Sequence, residues 1–259
     1  MSNTVDLAFE AFGDTTAPPL LILHGFFASS RNWRSVAQQL ADKFHVYVLD
    51  MRNHGASPHN PVMDYEVMAN DVLQFMDARQ IVAAAILGHS MGGKIAMWLA
   101  LNHPQRVAKL MVVDIAPVSY QHNFAAIIGA LTALPLAEVN NRKQAEVLLA
   151  ENIPELSYRQ FLLQNLVLQD GHYGWRVDLA IFAHTAPTIV AFPHTEHVVP
   201  FTGKALFIAG ADSDFVREKD IKRLFPQANL VFIEHAGHWL HVQQPTVFIT
   251  VITDFLQQS

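Results

Sequence analysis

The chain has no cysteine among its 259 residues. Disulfides and thiolate-held metals are therefore excluded, and the absence fits a reducing, cytoplasmic compartment. Charge is also scarce, with Asp, Glu, Lys and Arg making up only 15% of the residues. Lys and Arg number 17 against 23 Asp and Glu, for a net charge of −6, and the basic residues form no run. Nucleic acid and anionic membranes are poor partners for such a surface. No apolar stretch is long enough to span a bilayer. The greasiest, Phe124 to Val139, is interrupted by Pro135 and Glu138, and it is expected to form a buried or pocket-lining helix. The N-terminus, MSNTVDLAFE, has no basic region followed by an apolar core, so no secretory signal is expected. Repeats and low-complexity segments are absent.

What remains is a globular composition. Apolar residues make up 51%, and the length suits one large α/β domain carrying an insertion. The oligomeric state leaves no trace in the sequence.

The stretch that organises the rest is AAAILGHSMGGKIAMWLALNH, residues 83 to 103. Ala83 to Leu87 reads as a strand buried on both faces. Gly88-His89-Ser90-Met91-Gly92 follows, then Gly93 and a helix-favouring segment from Lys94 to Leu101 that Pro104 stops. Strand, G-x-S-x-G, helix is the sequence of a tight turn that lifts a serine hydroxyl over the sheet edge. The turn also aims the Met91 amide, beside a helix N-terminus, at whatever the serine attacks.

Taken in order, Val5 to Glu10 is expected as an edge strand and Leu20 to Leu23 as a buried one. The latter ends in His24-Gly25-Phe26-Phe27. The Phe26 amide is then a second donor for an oxyanion, provided His24-Gly25 is more than a plain strand exit. Ser30 to Asp42 and Tyr65 to Gln80 read as helices, and Phe44 to Leu49 as a strand. Asp50 and Arg52 are expected to pin the polar loop that follows by charge-assisted hydrogen bonds. Val107 to Val113 is a buried strand ending in Asp114, which on position alone either serves a catalytic histidine or caps a loop. From about Tyr120 to Thr202 the strand rhythm gives way to helical periodicity. Residues 118–202 are therefore expected as a helical cap inserted into a core of residues 1–117 and 203–259. Strands return at Ala205 to Ala209 and Asn229 to Glu234. His238 follows in a Gly-containing loop, and Pro245 to Leu256 forms the closing helix. His194 and His197 lack an evident third ligand, so no metal is expected.

A hydroxyl becomes a good nucleophile when a base takes its proton, and the base needs a carboxylate to fix its tautomer. Ser90, Asp114 and His238 supply these types in that order. His24-Gly25, the D-x-R-x-x-G-x-S run from Asp50 to Ser57, GHSMGG at Gly88 to Gly93 and AGHW at Ala236 to Trp239 together resemble the α/β-hydrolase superfamily over nearly the whole chain. DMRNHG at Asp50 to Gly55 and VDIAPV at Val113 to Val118 are similar to the small bacterial esterases of the YbfF type.

The resemblance implies an α/β-hydrolase fold, with a mostly parallel sheet flanked by helices. It also implies a serine carboxylesterase or thioesterase with no cofactor, acting on a small acyl ester or thioester. Many such hydrolases carry their acid in a G-x-x-D-x-x-V pattern. Laid on Gly210 to Val216, that pattern puts Ser213 at the acid position, with Asp212 and Asp214 one residue off. Asp114, in the DIAP context of the YbfF-type group, is preferred as the acid. The amides of Phe26 and Met91 are the expected oxyanion hole, and Phe26, Phe27, His89, Trp175 and Trp239 the candidate substrate contacts.

Other bonds fit the same residues: a carbon–carbon bond, a lactone or a peracid. A receptor that keeps the three residues as a binding pocket is a further alternative. A coenzyme A thioester would call for basic residues, and the cap offers only Arg142, Lys143, Arg159 and Arg176 against seven acidic ones. Its apolar character favours a short or medium acyl chain.

Overall fold

The computed structural model describes residues 3–121 and 123–258. Its centre is a seven-stranded sheet in the order β1-β3-β2-β4-β5-β8-β9. The strands are β1 Phe9–Phe12, β2 Pro19–Leu23, β3 His45–Leu49, β4 Ala84–His89, β5 Val107–Val113, β8 Ala205–Gly210 and β9 Asn229–Ile233. Only β1 runs antiparallel, against β3, and every other pairing in this sheet is parallel. All six residues of β4 are buried, as are all six of β8, because helices cover both faces of the sheet. On one face α2 (Tyr65–Ala78) and α3 (Met91–Asn102) pack over Ile86, Leu110 and Phe207. On the other, α1 (Arg34–Leu40) and the closing helix (Pro245–Gln257) pack over Leu20, Ile22, Leu87 and Ile208.

The register aligns the strand ends that matter. Leu23 pairs with Gly88, and His89 with Val113. The residues that follow, His24, Ser90 and Asp114, therefore leave the sheet along one C-terminal edge, where open α/β sheets bind ligands.

The edge strand lies further along the chain than expected. It starts at Phe9 because side chains hold the preceding residues: Asp71 Oδ1 accepts from the Val5 amide at 2.8 Å, and Ser57 Oγ from the Ala8 amide at 2.9 Å. Between β5 and β8 lie α4 (Ala125–Thr132), α5 (Arg142–Leu148), α6 (Leu156–Leu162) and α7 (Leu179–Val190). The segment is not wholly helical. It contains an antiparallel pair, β6 (Leu166–Gln169) and β7 (His172–Trp175). Asp170 and Gly171 join them with φ of 50° and 81°, the two positive angles a tight hairpin turn requires.

Buried hydrogen bonds tie this segment to the core. Asn165 Nδ2 donates to the Phe27 carbonyl at 2.8 Å. Tyr65 donates to the Ile189 carbonyl at 2.5 Å, and Lys94 Nζ to those of Val190 and Ala191 at 2.8 and 2.7 Å. Among the described residues, no helix is long and apolar enough to cross a membrane.

Candidate active site

Ser90 stands between β4 and α3 with φ 53° and ψ −117°, a conformation that costs a non-glycine residue about 1–3 kcal/mol. The turn is so tight that side chains cannot flank it. A Cβ on Gly88 would lie 2.2 Å from the Gly92 carbonyl oxygen, and one on Gly92 would lie 2.2 Å from that of Leu23. The Ser90 amide is held by the Val113 carbonyl at 3.1 Å. The hydroxyl-bearing residue is half-buried, and it lines two adjoining cavities of about 540 and 390 Å³.

Asp114 is fully buried, with φ 49°, directly after β5. Its Oδ1 accepts from the Gly210 amide at 3.0 Å. Its Oδ2 accepts from Ser213 Oγ at 2.6 Å and from His238 Nδ1 at 2.8 Å. A hydrogen bond at Nδ1 leaves Nε2 of His238 as the nitrogen able to take a proton. His238 lines both cavities with Ser90. Asp212 and Asp214, by contrast, are exposed on the loop after β8. The His238 ring lies 4.5 Å from that of Phe215, and its backbone carbonyl accepts from His89 Nε2 at 2.8 Å. Burial, and next the neighbouring His238, hold the His89 pKa well below its usual range, so His89 is a neutral donor to the loop that carries His238.

The loop after β2 lies against the serine turn. A Cβ on Gly25 would meet Ser90 Cβ at 3.3 Å. Two buried histidines set its shape. His24 Nδ1 and the Ala28 amide both donate to the Gly25 carbonyl, at 2.8 and 3.1 Å. That carbonyl belongs to the same peptide unit as the Phe26 amide. Pinning the oxygen on one side turns the N–H to the other, because a trans peptide carries the two in opposite directions. His54 Nε2 accepts from the Phe27 amide at 3.2 Å, while its Nδ1 donates to the Arg52 carbonyl at 2.9 Å. Both histidines have pKa values lowered first by burial, so both are neutral.

Asp50 binds the amides of Ser30 and Ala56 at 2.6 and 2.9 Å, and Arg52 forms a two-pronged pair with Asp71. The sequence singled out neither His24 nor His54 as a support for this loop. His24 opens the His24-Gly25 strand exit and His54 lies in the DMRNHG run, but neither motif says which backbone groups its ring holds.

The candidate substrate residues divide. Phe26 and Trp239 line both cavities, His89 the smaller one and Met91 the larger. Phe27 is 2% exposed and lies beneath, packed on Phe26 and Phe182 at ring distances of 4.6 and 5.0 Å. Trp175 lines neither cavity, because β7 pairs it with Leu166 at the far end of the hairpin. The sequence missed Tyr120, Tyr158 and Lys94, all of which line the larger cavity. Among the described residues, no three His, Cys, Asp or Glu side chains converge as a metal site.

A serine on a strained strand-to-helix turn, a buried aspartate and a histidine loop on one edge of a mostly parallel sheet are the arrangement of a class of hydrolases. The chain belongs to the family of the α/β hydrolase fold, which it matches over residues 18–245. It is 37% identical over 270 residues to the sn-1-specific diacylglycerol lipase ABHD11 of Xenopus tropicalis, covering 100% of this chain and 84% of the relative. It is 36% identical to esterase YbfF of Escherichia coli, covering 92% of each chain. A solved marine microorganism esterase superposes with a TM-score of 0.93 at 40% identity, over 97% of this chain and 100% of that one.

Proposed function

We propose that the protein is a serine carboxylic ester hydrolase that works through an acyl-enzyme on Ser90. The observation that carries the reading is the 2.8 Å contact of His238 Nδ1 with buried Asp114, beside a cavity that His238 shares with Ser90. In this scheme Ser90 Oγ attacks the acyl carbonyl as His238 Nε2 takes its proton. The amides of Phe26 and Met91 hold the oxyanion, each contributing about 10²–10³ in rate. The alcohol leaves with the proton from His238. Water, deprotonated by the same nitrogen, then releases the acid and restores Ser90. Asp114 stays ionised throughout and stabilises the imidazolium.

Residues 118–202 act as a cap over core residues 1–117 and 203–259. Phe124, Ile127, Ile189 and Val190 of that segment help form the larger cavity, whose size suits a short or medium acyl chain. An alcohol is the favoured leaving group over coenzyme A. Arg142 and Arg159 donate to the backbone carbonyls of Leu166 and of Ile153 and Pro154, and Lys143 pairs with Glu146. Arg176 lies beside Gly55, in a separate recess. No cofactor takes part, and the enzyme works in the cytoplasm.

The test is hydrolysis of p-nitrophenyl esters from acetate to palmitate, with fluorophosphonate labelling, for wild type beside Ser90→Ala. Wild type should turn over the short esters and take the label, and the variant should do neither. A Ser90→Ala protein with full activity would refute the scheme. Labelling of wild type without ester turnover would move another bond, or a receptor, ahead.

A further inference from the structure

Lys94 sits one helical turn after the nucleophile, its amide bonded to the Ser90 carbonyl at 3.1 Å. The residue is 1% exposed and lines the larger cavity. Its Nζ donates to the Val190 and Ala191 carbonyls at the end of α7, and it lies 4.8 and 5.8 Å from the ring centres of Tyr120 and Tyr65. Among the described residues, no carboxylate pairs with it. An ammonium has three donors, and these two bonds use two of them.

Capping a helix end does not require a charge here, since the Tyr65 hydroxyl serves the adjacent Ile189 carbonyl. A buried cation without a counter-charge is costly, and burial draws the Lys94 pKa down to about 7. Much of the remaining lining is apolar, including Met91, Ile115, Ile127, Ile189 and Phe215. The N-terminus of α3 adds positive partial charge at the Ser90 end. Glu155 is the acidic side chain at this cavity, and it is exposed to water at the rim.

We infer that Lys94 is a specificity residue of the larger cavity, and that the preferred acyl group ends in a carboxylate seated against its Nζ. The substrate class is then the half-ester or half-thioester of a short dicarboxylic acid. The inference rests on the ester-hydrolase reading above and names its substrate. The anion supplies the missing counter-charge and accepts the remaining N–H of the ammonium. One helical turn is about 5.4 Å, so a carboxylate a few carbons beyond the scissile carbonyl spans the separation between the two residues.

The experiment compares three esters of equal chain length: p-nitrophenyl hydrogen adipate, its uncharged amide isostere p-nitrophenyl adipamate, and p-nitrophenyl hexanoate. Wild type should favour the acid over the amide in kcat/KM by about tenfold or more, and Lys94→Met should bring that ratio to one or below. A wild type that favours the amide overturns the inference. So does a Lys94→Met protein that keeps the wild-type ratio, or one that loses activity equally on all three esters, which would assign Lys94 to holding α7 alone. Calorimetric binding of adipate against adipamide to wild type decides the matter if Lys94→Met fails to fold, and equal binding of the two overturns it. Failure of the hydrolase reading looks different: none of the three esters turns over and Ser90 takes no fluorophosphonate.

Discussion

Ser213 and His238 meet at one oxygen of Asp114, at 2.6 and 2.8 Å from Oδ2. Ser213 stands where the more common pattern puts the acid. Here it donates to the carboxylate that follows β5, the acid of the proposed scheme. Two carboxylates at these two positions would repel across a hydrogen-bond distance, and a serine removes the conflict. Neutralising the acid should therefore cripple the enzyme at one position only. Asp114→Asn should lower kcat by about 10⁴. Asp212→Asn and Asp214→Asn, on exposed loop residues, should stay within about twofold of wild type. Steady-state hydrolysis of p-nitrophenyl butyrate separates the cases, and a crippled Asp212→Asn would move the acid to the loop after β8.

Ser213→Ala tests the shared oxygen itself. It removes a donor to a buried carboxylate, a bond worth about 1.5–3 kcal/mol. Urea denaturation should show a loss in that range with an unchanged m-value. Serine and threonine at this position should be equivalent if the hydroxyl alone matters.

Four buried histidines give the protein a defined pH response. Burial is the leading cause that holds His24, His54 and His89 below the usual value of 6.5, and His241 at about 3. The unfolded chain takes up protons near pH 6.5 while the folded one does not. Their contribution is therefore fully present above pH 6.5 and is lost as pH falls below it, for His241 down to about pH 3. Each such histidine contributes a slope of about 1.4 kcal/mol per pH unit. Asp71, whose pKa is raised mainly by burial, works in the opposite sense. At His24 and His54 the cost is also geometric. Their Nε2 atoms accept the amides of Met51 and Phe27, and protonation would set donor against donor. The unfolding midpoint in urea should fall steeply between pH 7 and pH 5, and a flat profile would contradict the assignment of neutral histidines.

The sheet was legible because strands buried on both faces read as unbroken apolar runs, as β4, β5 and β8 do. The turn at Ser90 was legible because glycines must flank it, and the place of Asp114 because it follows a strand of that kind. The β6–β7 pair was missed although its signal was present: Asp170-Gly171 between alternating residues marks a two-residue hairpin. Helical periodicity on either side outweighed it. The loop-holding roles of His24 and His54, and the burial of Lys94 under α7, were not legible for another reason. Each also bonds a backbone carbonyl or amide far away in sequence, Met51 for His24, Phe27 for His54 and Val190 for Lys94, and such partners carry no side-chain signature. Trp175 was named on aromatic character alone, which says nothing about the face a strand turns to the cavity.

Two glycines should respond in opposite directions to the same change. Gly92→Ala sets a Cβ 2.2 Å from a backbone oxygen of β2, which cannot move without breaking the sheet. It should destabilise by at least about 1–3 kcal/mol and reduce the yield of soluble protein. Gly129 lies within α4, with nothing inside 4 Å of a Cβ placed there. Gly129→Ala should stabilise by up to about 1 kcal/mol through helix propensity. Paired thermal melts read both, and a stable Gly92→Ala would mean that the α3–β2 approach is looser than described.

Arg52 and Asp71 form an ion pair with neither side chain exposed. The guanidinium makes two bonds to the carboxylate, at 2.7 and 2.8 Å, and two more to the carbonyls of Val62 and Asn3. Asp71 in turn holds the Val5 amide. The pair thus joins the chain start, the loop after β3 and α2. Both charges have been taken out of water, so their net contribution is small, but either one left alone is expensive. Asp71→Asn and Arg52→Met should each cost about 3–5 kcal/mol in urea denaturation. The double variant Arg52→Met/Asp71→Leu should recover much of that loss, since it strands no charge. A double variant as unstable as the sum of the singles would mean that the carbonyl bonds of Arg52, and not its pairing with Asp71, hold these three segments together.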